Sequence, residues 1–454
     1  MNEKMRTVVL QPITIGRLWD SSATMSEDQA KAMAALASKY PMLTVLPARH
    51  IDSVSDLEQL PGRVSAYILG RIPMNLGLLH RLSALGKPII GSSLNDRGFP
   101  QLMIKSYMYQ AIEQENGLFL YPRDENAMTA ILNALRGVNF LQSLRLAYYT
   151  TVEKFKPPYS VAFGIPDSDT LMRRFGLDLT LFPIEEYYDA VESIDAAAAH
   201  KTAHEWLIRY HIDDSREERM DVYARVYLAA KQVLAMRQSN GLCMHCDSIP
   251  RNRTNCCGIA LPGEMNEFVP CWTYALLIDE GIPAFCKGDM AQMLTMSLLM
   301  GITGQPNLMG DMYRFGDNQN LMADNIITIT HDLIPPSMSD PTQPITLRDM
   351  HGRKRGLTGV VQLTPGSTVT VAGMDRDMER LWFCHGTVQW TKDIAAERNI
   401  DSCRNSVAVQ VANAEYIVRN HLGEHQILCY GDWTPALTIA GQLLGISVRN
   451  LDHQ

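Results

Sequence analysis

The sequence lacks the features that would place the protein in a membrane or on nucleic acid. Its 454 residues contain no apolar run of the roughly 18 residues that a membrane-spanning helix needs. There is no excess of basic residues, since the net charge is -8 and the pI is near 5.9. We therefore expect neither a nucleic-acid partner nor an anionic membrane surface. The first residues, MNEKMRTVVLQPITIG, have no continuous apolar segment with a cleavage site, so we expect no secretory signal and a cytoplasmic protein.

The sequence also lacks a regular cysteine framework. Five of its nine cysteines lie close together, between Cys243 and Cys271, but only one C-x2-C pair occurs among them and Cys256 adjoins Cys257. Disulfides are not expected in a reducing compartment. Adjacent cysteines are an awkward half of a tetrahedral site. We interpret these residues as buried or loop thiols, with a zinc or iron–sulfur site as the alternative.

The order of predicted elements indicates three domains. Residues 1–150 and 151–324 alternate short apolar strands with helices, which is typical of parallel sheets with helices on both faces. Residues 325–454 instead contain short strands separated by turn signals, followed by closing helices, which indicates an antiparallel barrel. The predicted fold is therefore α/β: two doubly wound α/β domains followed by an antiparallel β-barrel C-terminal domain.

One stretch of the second predicted domain concentrates charged residues at strand ends. A short strand ends in the motif CKGD, with Lys287 and Asp289; a helix follows; and a second short strand ends in the motif MGD, with Asp311. Two strands joined by a helix predict a βαβ unit whose site lies at the carboxyl edge of the sheet.

Three residues at predicted strand ends are candidate metal ligands. Asp311 follows an apolar strand, His331 follows ITIT, and His425 opens the strand HQILCYG. One carboxylate and two imidazoles suit a divalent metal such as manganese, iron or zinc. Each also has a purely structural interpretation, as a turn cap or as a hydrogen-bonded histidine.

Two cationic residues are further candidates. Lys287 ends a predicted buried strand. It would form a structural ion pair with Asp289 or Asp311, take the place of a metal's charge, or act as an amine on a carbonyl. Arg17, after the first strand, would hold an anionic or polyhydroxyl ligand, or is simply exposed.

Several motifs occur together in an order that resembles a known family. They are RRFGLDLTLFPIEEYYDAVESID, LLIDEGIPAFCKGDMAQMLTMSLLMGITGQPNLMGD, THDLIPPSM, LTGVVQLTPGSTVTVAGMDRDMERL and GEHQILCYGDWTPALTIAGQLLGISVRN. Across nearly its whole length the chain resembles the L-fucose isomerase and L-arabinose isomerase superfamily. The resemblance implies two α/β domains, a β-barrel domain and a trimer or hexamer. It also implies aldose–ketose interconversion through an enediol with manganese or a similar cation.

The resemblance also implies roles for particular residues. Asp311 resembles the second acidic metal ligand, His331 and His425 resemble histidine ligands, and Arg17 resembles a substrate-binding arginine from a neighbouring subunit. The chain departs from the family at Lys287, where the family has a glutamate that acts as ligand and base. This exchange changes the local charge by two units.

These observations lead to one expectation and two alternatives. We expect an aldose–ketose isomerase of carbohydrate metabolism that acts on a monosaccharide or a modified, anionic sugar. Asp311 or Asp289 would be the base; the electrophile would be a cation on Asp311, His331 and His425, or Lys287 itself. The alternatives are a metal-independent epimerase or lyase that uses Lys287, and a non-catalytic sugar-binding homologue.

Overall fold

The chain divides into two compact units. The computed structural model describes residues 7–16, 27–69, 75–91, 110, 112–115, 117–150, 168–213, 217–244, 270–286, 288–312, 324–350, 355–400 and 402–452. One unit comprises Asn2–Phe140 with Pro435–Gly445, and the other comprises Leu141–Thr434 with Ile446–Gln454. The three predicted domain ranges stay predictions.

The first unit is built on a six-stranded parallel sheet. Its strands are β1 (Val8–Ile15), β2 (Leu43–Val45), β3 (Arg49–Ile51), β4 (Ala66–Leu69), β5 (Ile89–Gly91) and β6 (Phe119–Leu120). They pair in the order β2-β1-β4-β5-β6, with β3 also beside β1, and every pair is parallel. The helices are Glu27–Lys39, Val54–Glu58, Leu76–Ser83, Glu125–Gln142 and Thr434–Leu444.

Alternate residues of this sheet belong to two separate cores. Tyr67 and Ile89 pack in one cluster with residues of the helix Leu76–Ser83, whereas Ile68 and Ile90 pack in another with residues of the helix Glu125–Gln142. Successive side chains of a strand point to opposite faces. Both faces of the sheet are therefore covered, which explains why its strands are apolar without alternation.

The second unit contains a four-stranded parallel sheet, a small three-stranded sheet and a barrel. Its strands are β7 (Arg145–Thr150), β8 (Asp178–Pro183), β9 (His211–Ile212), β10 (Gly241–Met244), β11 (Ala284–Phe285), β12 (Leu308–Met312), β13 (Ile326–His331), β14 (Thr346–Met350), β15 (Arg355–Val360), β16 (Thr368–Met374), β17 (Arg380–Asp393), β18 (Asn405–Gln410), β19 (His425–Tyr430) and β20 (Ser447–Asn450). Its helices are Ser168–Phe175, Ile184–Ser193, Ala196–Arg209, Met220–Met236, Cys271–Asp279, Met290–Thr303, Ile394–Arg398 and Ala414–Asn420, with a 3-10 turn at Pro336–Met338. The parallel sheet has the order β11-β10-β7-β8, and β15-β14-β9 form the small sheet.

The barrel is closed by six antiparallel strands. They follow the order β16-β19-β12-β13-β18-β17, and β17 pairs back to β16. Its core includes the buried side chains of Val371, Trp382, Val407 and Leu428. The predicted antiparallel barrel is therefore confirmed, and the chain has a mixed α/β fold with parallel sheets.

The predicted βαβ unit is wrong. β11 belongs to the parallel sheet, but β12 pairs antiparallel with β13 and β19 in the barrel. The intervening helix Met290–Thr303 therefore connects two sheets rather than two neighbouring strands of one sheet. It is buried along its whole length. A short apolar strand has the same sequence pattern in a parallel and in an antiparallel sheet, and the pattern alone could not separate them.

In the part of the chain that the structure describes, no helix combines the length and the apolar composition that crossing a membrane requires.

Candidate metal and sugar site at the barrel rim

Polar residues gather at one end of the barrel because neighbouring strands begin or end there. His425, the first residue of β19, is directly opposite Asp311 of β12. His331, the last residue of β13, is opposite Asn405 of β18, which in turn is opposite Asp393 at the end of β17. We call these five residues the barrel rim. Their positions follow from antiparallel register, which puts the start of one strand beside the end of the next.

His425 is the central residue of the site. Its side chain is fully buried, and its two ring nitrogens face two different carboxylates. Nδ1 lies 2.9 Å from Oδ2 of Asp289, and Nε2 lies 3.3 Å from Oδ1 of Asp311. Among the described residues, Nε2 has no hydrogen-bond partner of acceptable geometry.

This arrangement needs a positive centre near Nε2. If the Nδ1–H group of His425 donates a hydrogen bond to Asp289, the ring is neutral. The lone pair of its Nε2 then points towards an oxygen of Asp311. Two electron-rich atoms at 3.3 Å repel each other unless a proton or a metal ion lies between them. A carboxylate that accepts Nδ1–H is also the usual support of a histidine that binds metal through its other nitrogen.

Asp289 caps a helix and also accepts a hydrogen bond from the histidine. It is the N-cap of the helix Met290–Thr303, and its Oδ1 accepts a hydrogen bond of 3.2 Å from the backbone N–H of Gln292. Its Oδ2 accepts from His425. An N-cap aspartate is common because it satisfies an otherwise unpaired backbone donor. Here the cap also fixes the orientation of the imidazole, and both oxygens of Asp289 are engaged.

His331 lies near His425 but has a different hydrogen-bonding pattern. The centroids of the two rings are 6.3 Å apart. Nδ1 of His331 accepts a hydrogen bond of 3.1 Å from the backbone N–H of Leu333. A neutral histidine whose Nδ1 is an acceptor carries its proton on Nε2, so this ring presents a donor rather than a lone pair to its surroundings.

Glu424 is a functional candidate that sequence reasoning missed. One oxygen each of Asp311 and Glu424 and one ring nitrogen of His425 lie within 4.8 Å of one another. Such a group is compatible with a divalent cation, although exposed acidic residues also gather without one. The signal in the sequence was an acidic residue between a glycine and a predicted histidine ligand, in GEH.

Two predicted site residues cannot be placed. Lys287 and Arg17 both lie outside the described residues. Their proposed roles therefore stay predictions from the sequence. The structure does bring together the other four predicted residues, since Asp289, Asp311, His331 and His425 all lie at or beside the barrel rim.

A cleft of about 390 Å³ opens beside Asp289 and Glu424. Its walls come from the start of the helix Met290–Thr303, from the turn between β16 and β17, and from the loop before β19. The lining residues are Asp289, Ala291, Gln292, Asp375, Arg376, Asp377, Arg380, Leu422, Gly423 and Glu424. Four of them are carboxylates and two are arginines, so the wall carries more negative than positive charge.

Gln292 contributes a buried polar group to the cleft. Its Nε2 donates a hydrogen bond of 2.7 Å to the carbonyl oxygen of Met374. Its side chain is fully buried, and Oε1 accepts no hydrogen bond from any described residue. A buried amide oxygen without a donor is destabilising by about 1–3 kcal/mol. A bound hydroxyl or water in the cleft would satisfy it.

The other side of the rim carries a buried charge cluster. Arg404, which is 5% exposed, donates to both oxygens of Asp393 at 3.1 and 2.9 Å and to a carboxylate oxygen of Asp349. The backbone N–H of Arg404 donates to Asp332 at 2.6 Å. Burial raises the pKa of Asp332 to about 7, and the hydrogen bond from Arg404 offsets part of this increase. The bonds within this cluster indicate a structural role.

Comparison of the chain with protein-family models and with curated proteins finds no match. The geometry of the site is that of a buried histidine that one carboxylate supports and that faces two others, beside a polar cleft.

Proposed function

We propose that the protein is an aldose–ketose isomerase that moves a proton between adjacent carbons of a sugar through an enediol. The observation that carries the proposal is the position of His425, whose Nδ1 lies 2.9 Å from Asp289 and whose Nε2 lies 3.3 Å from Asp311. It is supported by the resemblance to the L-fucose and L-arabinose isomerase superfamily, in which a carboxylate and a histidine from distant parts of the chain serve one site.

Manganese or a similar divalent cation is the proposed cofactor. The buried Nε2 of His425, which has no hydrogen bond among the described residues, and the neighbouring carboxylate of Asp311 fit such an ion. When bound, the cation would polarise the sugar carbonyl and stabilise the negative charge of the enediolate. Asp311 and His425 would hold it.

The residues of the chain would divide the remaining tasks. Asp289 would orient the imidazole of His425, since both of its oxygens already accept hydrogen bonds. Asp311 is then better placed than Asp289 to take a proton from the substrate. Gln292 and the arginines of the cleft would contact sugar hydroxyls. Because the described wall of the cleft has more carboxylates than arginines, we favour an uncharged sugar over an anionic one.

The finer architecture and the cellular setting belong to the same proposal. We propose two doubly wound α/β domains before the barrel, a homotrimer or homohexamer, and a cytoplasmic protein. The covered parallel sheet of the first unit and the resemblance support the architecture. The oligomer rests on the resemblance alone.

The test is an isomerisation screen that also reports proton transfer. Protein stripped of metal and then supplied with Mn²⁺ would be incubated in D₂O with a panel of free aldopentoses and 6-deoxyaldohexoses, and with sugar phosphates as the anionic set. We expect ketose from at least one free sugar, with deuterium at the carbon next to the carbonyl, detected by NMR. The Asp311→Asn variant should lose both signals.

A lack of ketose and of deuterium in all reactions with Mn²⁺ would contradict the proposal. Sugar binding without turnover would instead favour the non-catalytic homologue. An adduct trapped by borohydride in protein free of metal would favour an amine mechanism.

A further inference from the structure

The proposed cation has two candidates for a third protein ligand. His331 is the candidate from the sequence, and Glu424 is the candidate from the structure. Their positions differ in burial and in the hydrogen bonds that they make, so the structure separates them.

The position of Glu424 favours coordination. A carboxylate oxygen of Glu424, one of Asp311 and a ring nitrogen of His425 lie within 4.8 Å of one another, so one ion between them would be in reach of all three. The independent indication that a ligand binds here is Nε2 of His425, which is fully buried and makes no hydrogen bond to a described residue.

The backbone before β19 explains how two consecutive residues reach one point. In a regular strand, adjacent side chains point to opposite faces. Glu424, however, precedes the first residue of β19 and follows Gly423, whose φ is +83°. The carbonyl oxygen of Leu422 accepts a hydrogen bond of 2.8 Å from Nε1 of Trp382, which anchors this loop. The side chain of Glu424 therefore does not have to follow the alternating directions of side chains in β19. The hydrogen bond to Leu422 holds the backbone of the loop in place.

The hydrogen bond of His331 disfavours coordination. Its Nδ1 accepts from the backbone N–H of Leu333 at 3.1 Å. Binding a metal through Nε2 would require the proton to leave Nε2 while Nδ1 still accepts, which makes the ring an imidazolate. A histidine that binds metal normally donates through its second nitrogen, as His425 does to Asp289.

We infer that Glu424, and not His331, is the third protein ligand of the cation bound by Asp311 and His425, so that the ligand set is two carboxylates and one imidazole. This inference rests on the proposed function, since it assigns a ligand of the same site. A set rich in carboxylate oxygen suits manganese or magnesium better than a set of two imidazoles would.

The experiment measures Mn²⁺ binding rather than activity. Full-length protein dialysed against EDTA would be titrated with Mn²⁺ alone by isothermal titration calorimetry, and free Mn²⁺ would be followed by its EPR signal. The variants are Glu424→Gln and His331→Asn. The asparagine keeps an acceptor for the N–H of Leu333 but lacks Nε2. Glu415→Gln, at an exposed position of the helix Ala414–Asn420, is the control.

We expect Glu424→Gln to weaken Mn²⁺ binding at least about tenfold, the scale seen when a metal site loses a supporting group. His331→Asn and Glu415→Gln should stay within about threefold of the wild type. Glu424 is exposed, so its variant should fold, which circular dichroism would check.

The outcomes separate this inference from the proposed function. If the wild type binds Mn²⁺ and Glu424→Gln binds it equally well, the inference is overturned and the proposed function stands. Weaker binding by His331→Asn alone would restore the ligand set expected from the sequence. If the wild type binds no Mn²⁺, both the inference and the metal-dependent reaction are overturned.

Discussion

Asp289 and His425 are separated by 136 residues in the chain, yet Oδ2 of the aspartate lies 2.9 Å from Nδ1 of the histidine. The aspartate begins a buried helix and the histidine begins a barrel strand. One carboxylate therefore joins the helix that follows the parallel sheet to the barrel rim. Removing it should affect both the helix and the imidazole, and the two effects can be measured separately.

The first prediction separates the two roles of Asp289. In Asp289→Asn, the amide oxygen can still cap the helix, but the amide N–H₂ would face Nδ1 of His425 and favour the proton on Nε2. We expect Mn²⁺ affinity to fall about 10–100-fold, with stability changed little. Asp289→Ala should in addition lose about 0.5–2 kcal/mol of unfolding free energy, because the cap is gone. Calorimetric titration and urea unfolding measure the two quantities.

A second N-cap in the same unit provides the control for Asp289. Asp195 accepts from the backbone N–H of Ala198 at 2.9 Å at the start of the helix Ala196–Arg209. Asp195→Asn should change neither Mn²⁺ affinity nor stability measurably. Equal Mn²⁺ affinity in wild type and Asp289→Asn would show that Asp289 does not orient the histidine.

The sequence predicted the residues of the site better than the topology that positions them. The predicted strand ends and the family resemblance both indicate Asp311 and His425, and the structure places them opposite each other in paired strands. Strand ends are visible in a sequence because Gly and polar residues interrupt apolar runs. Strand partners are not visible, and this is why β12 was expected in the parallel sheet although it pairs in the barrel.

The roles proposed for Glu424 and Asp289 could not be predicted for a different reason. The sequence offers Asp289 as a candidate base at a predicted strand end, but its two oxygens accept hydrogen bonds from Gln292 and His425. The nearness of Glu424 to Asp311 depends on the left-handed backbone at Gly423. A turn of this kind is indicated by glycine, but the direction in which it leads the next side chain is set by packing.

The second prediction concerns Gly423 in the loop that carries Glu424. A Cβ at this position would lie 2.2 Å from Nε2 of Gln292 and 2.6 Å from the carbonyl oxygen of Met374, in a backbone with φ of +83°. Gly423→Ala should therefore lower the unfolding free energy by more than the roughly 1 kcal/mol that the left-handed conformation alone costs, and should weaken Mn²⁺ binding.

Gly366 is the matched control for this effect. Its φ is +79°, but a Cβ there would meet nothing within 4 Å. Gly366→Ala should show the conformational cost alone, with unchanged Mn²⁺ affinity. Similar losses of stability for the two variants in urea unfolding would mean that close packing at Gly423 is unimportant.

The third prediction tests the buried charge cluster. Arg404→Met removes the cation that lies between Asp349 and Asp393. Among the described residues, no other cation lies at hydrogen-bonding distance from both carboxylates. The buried Asp349 would lose this cation, and the half-buried Asp393 would keep its bond from Arg348, so we expect a loss of about 3–5 kcal/mol in urea unfolding. Arg404→Lys keeps the charge but not the planar fork, and should fall between wild type and Arg404→Met.

An exposed arginine shows how much of this effect is due to burial. Arg419 pairs with Glu415 one helical turn away, and the side chains are 72% and 63% exposed. Arg419→Met should cost no more than about 0.5 kcal/mol, because solvent screens an exposed pair. A loss below 1 kcal/mol for Arg404→Met would show that the cluster is not a stabilising centre.

The last prediction concerns Gln292, which lines the cleft and whose buried Oε1 has no hydrogen bond from a described residue. If a sugar hydroxyl donates to this oxygen, Gln292→Met should raise KM about tenfold, the equivalent of about 1.4 kcal/mol, with a smaller change in kcat. The informative comparison uses a series of monodeoxy sugars. For the hydroxyl that contacts Gln292, the wild type should discriminate against the deoxy sugar and the variant should not.

Gln11, a buried glutamine of the other unit that also donates to backbone carbonyls, is the control, since Gln11→Met should preserve all discrimination. Unchanged discrimination in Gln292→Met for every deoxy sugar would mean that Oε1 binds water rather than substrate.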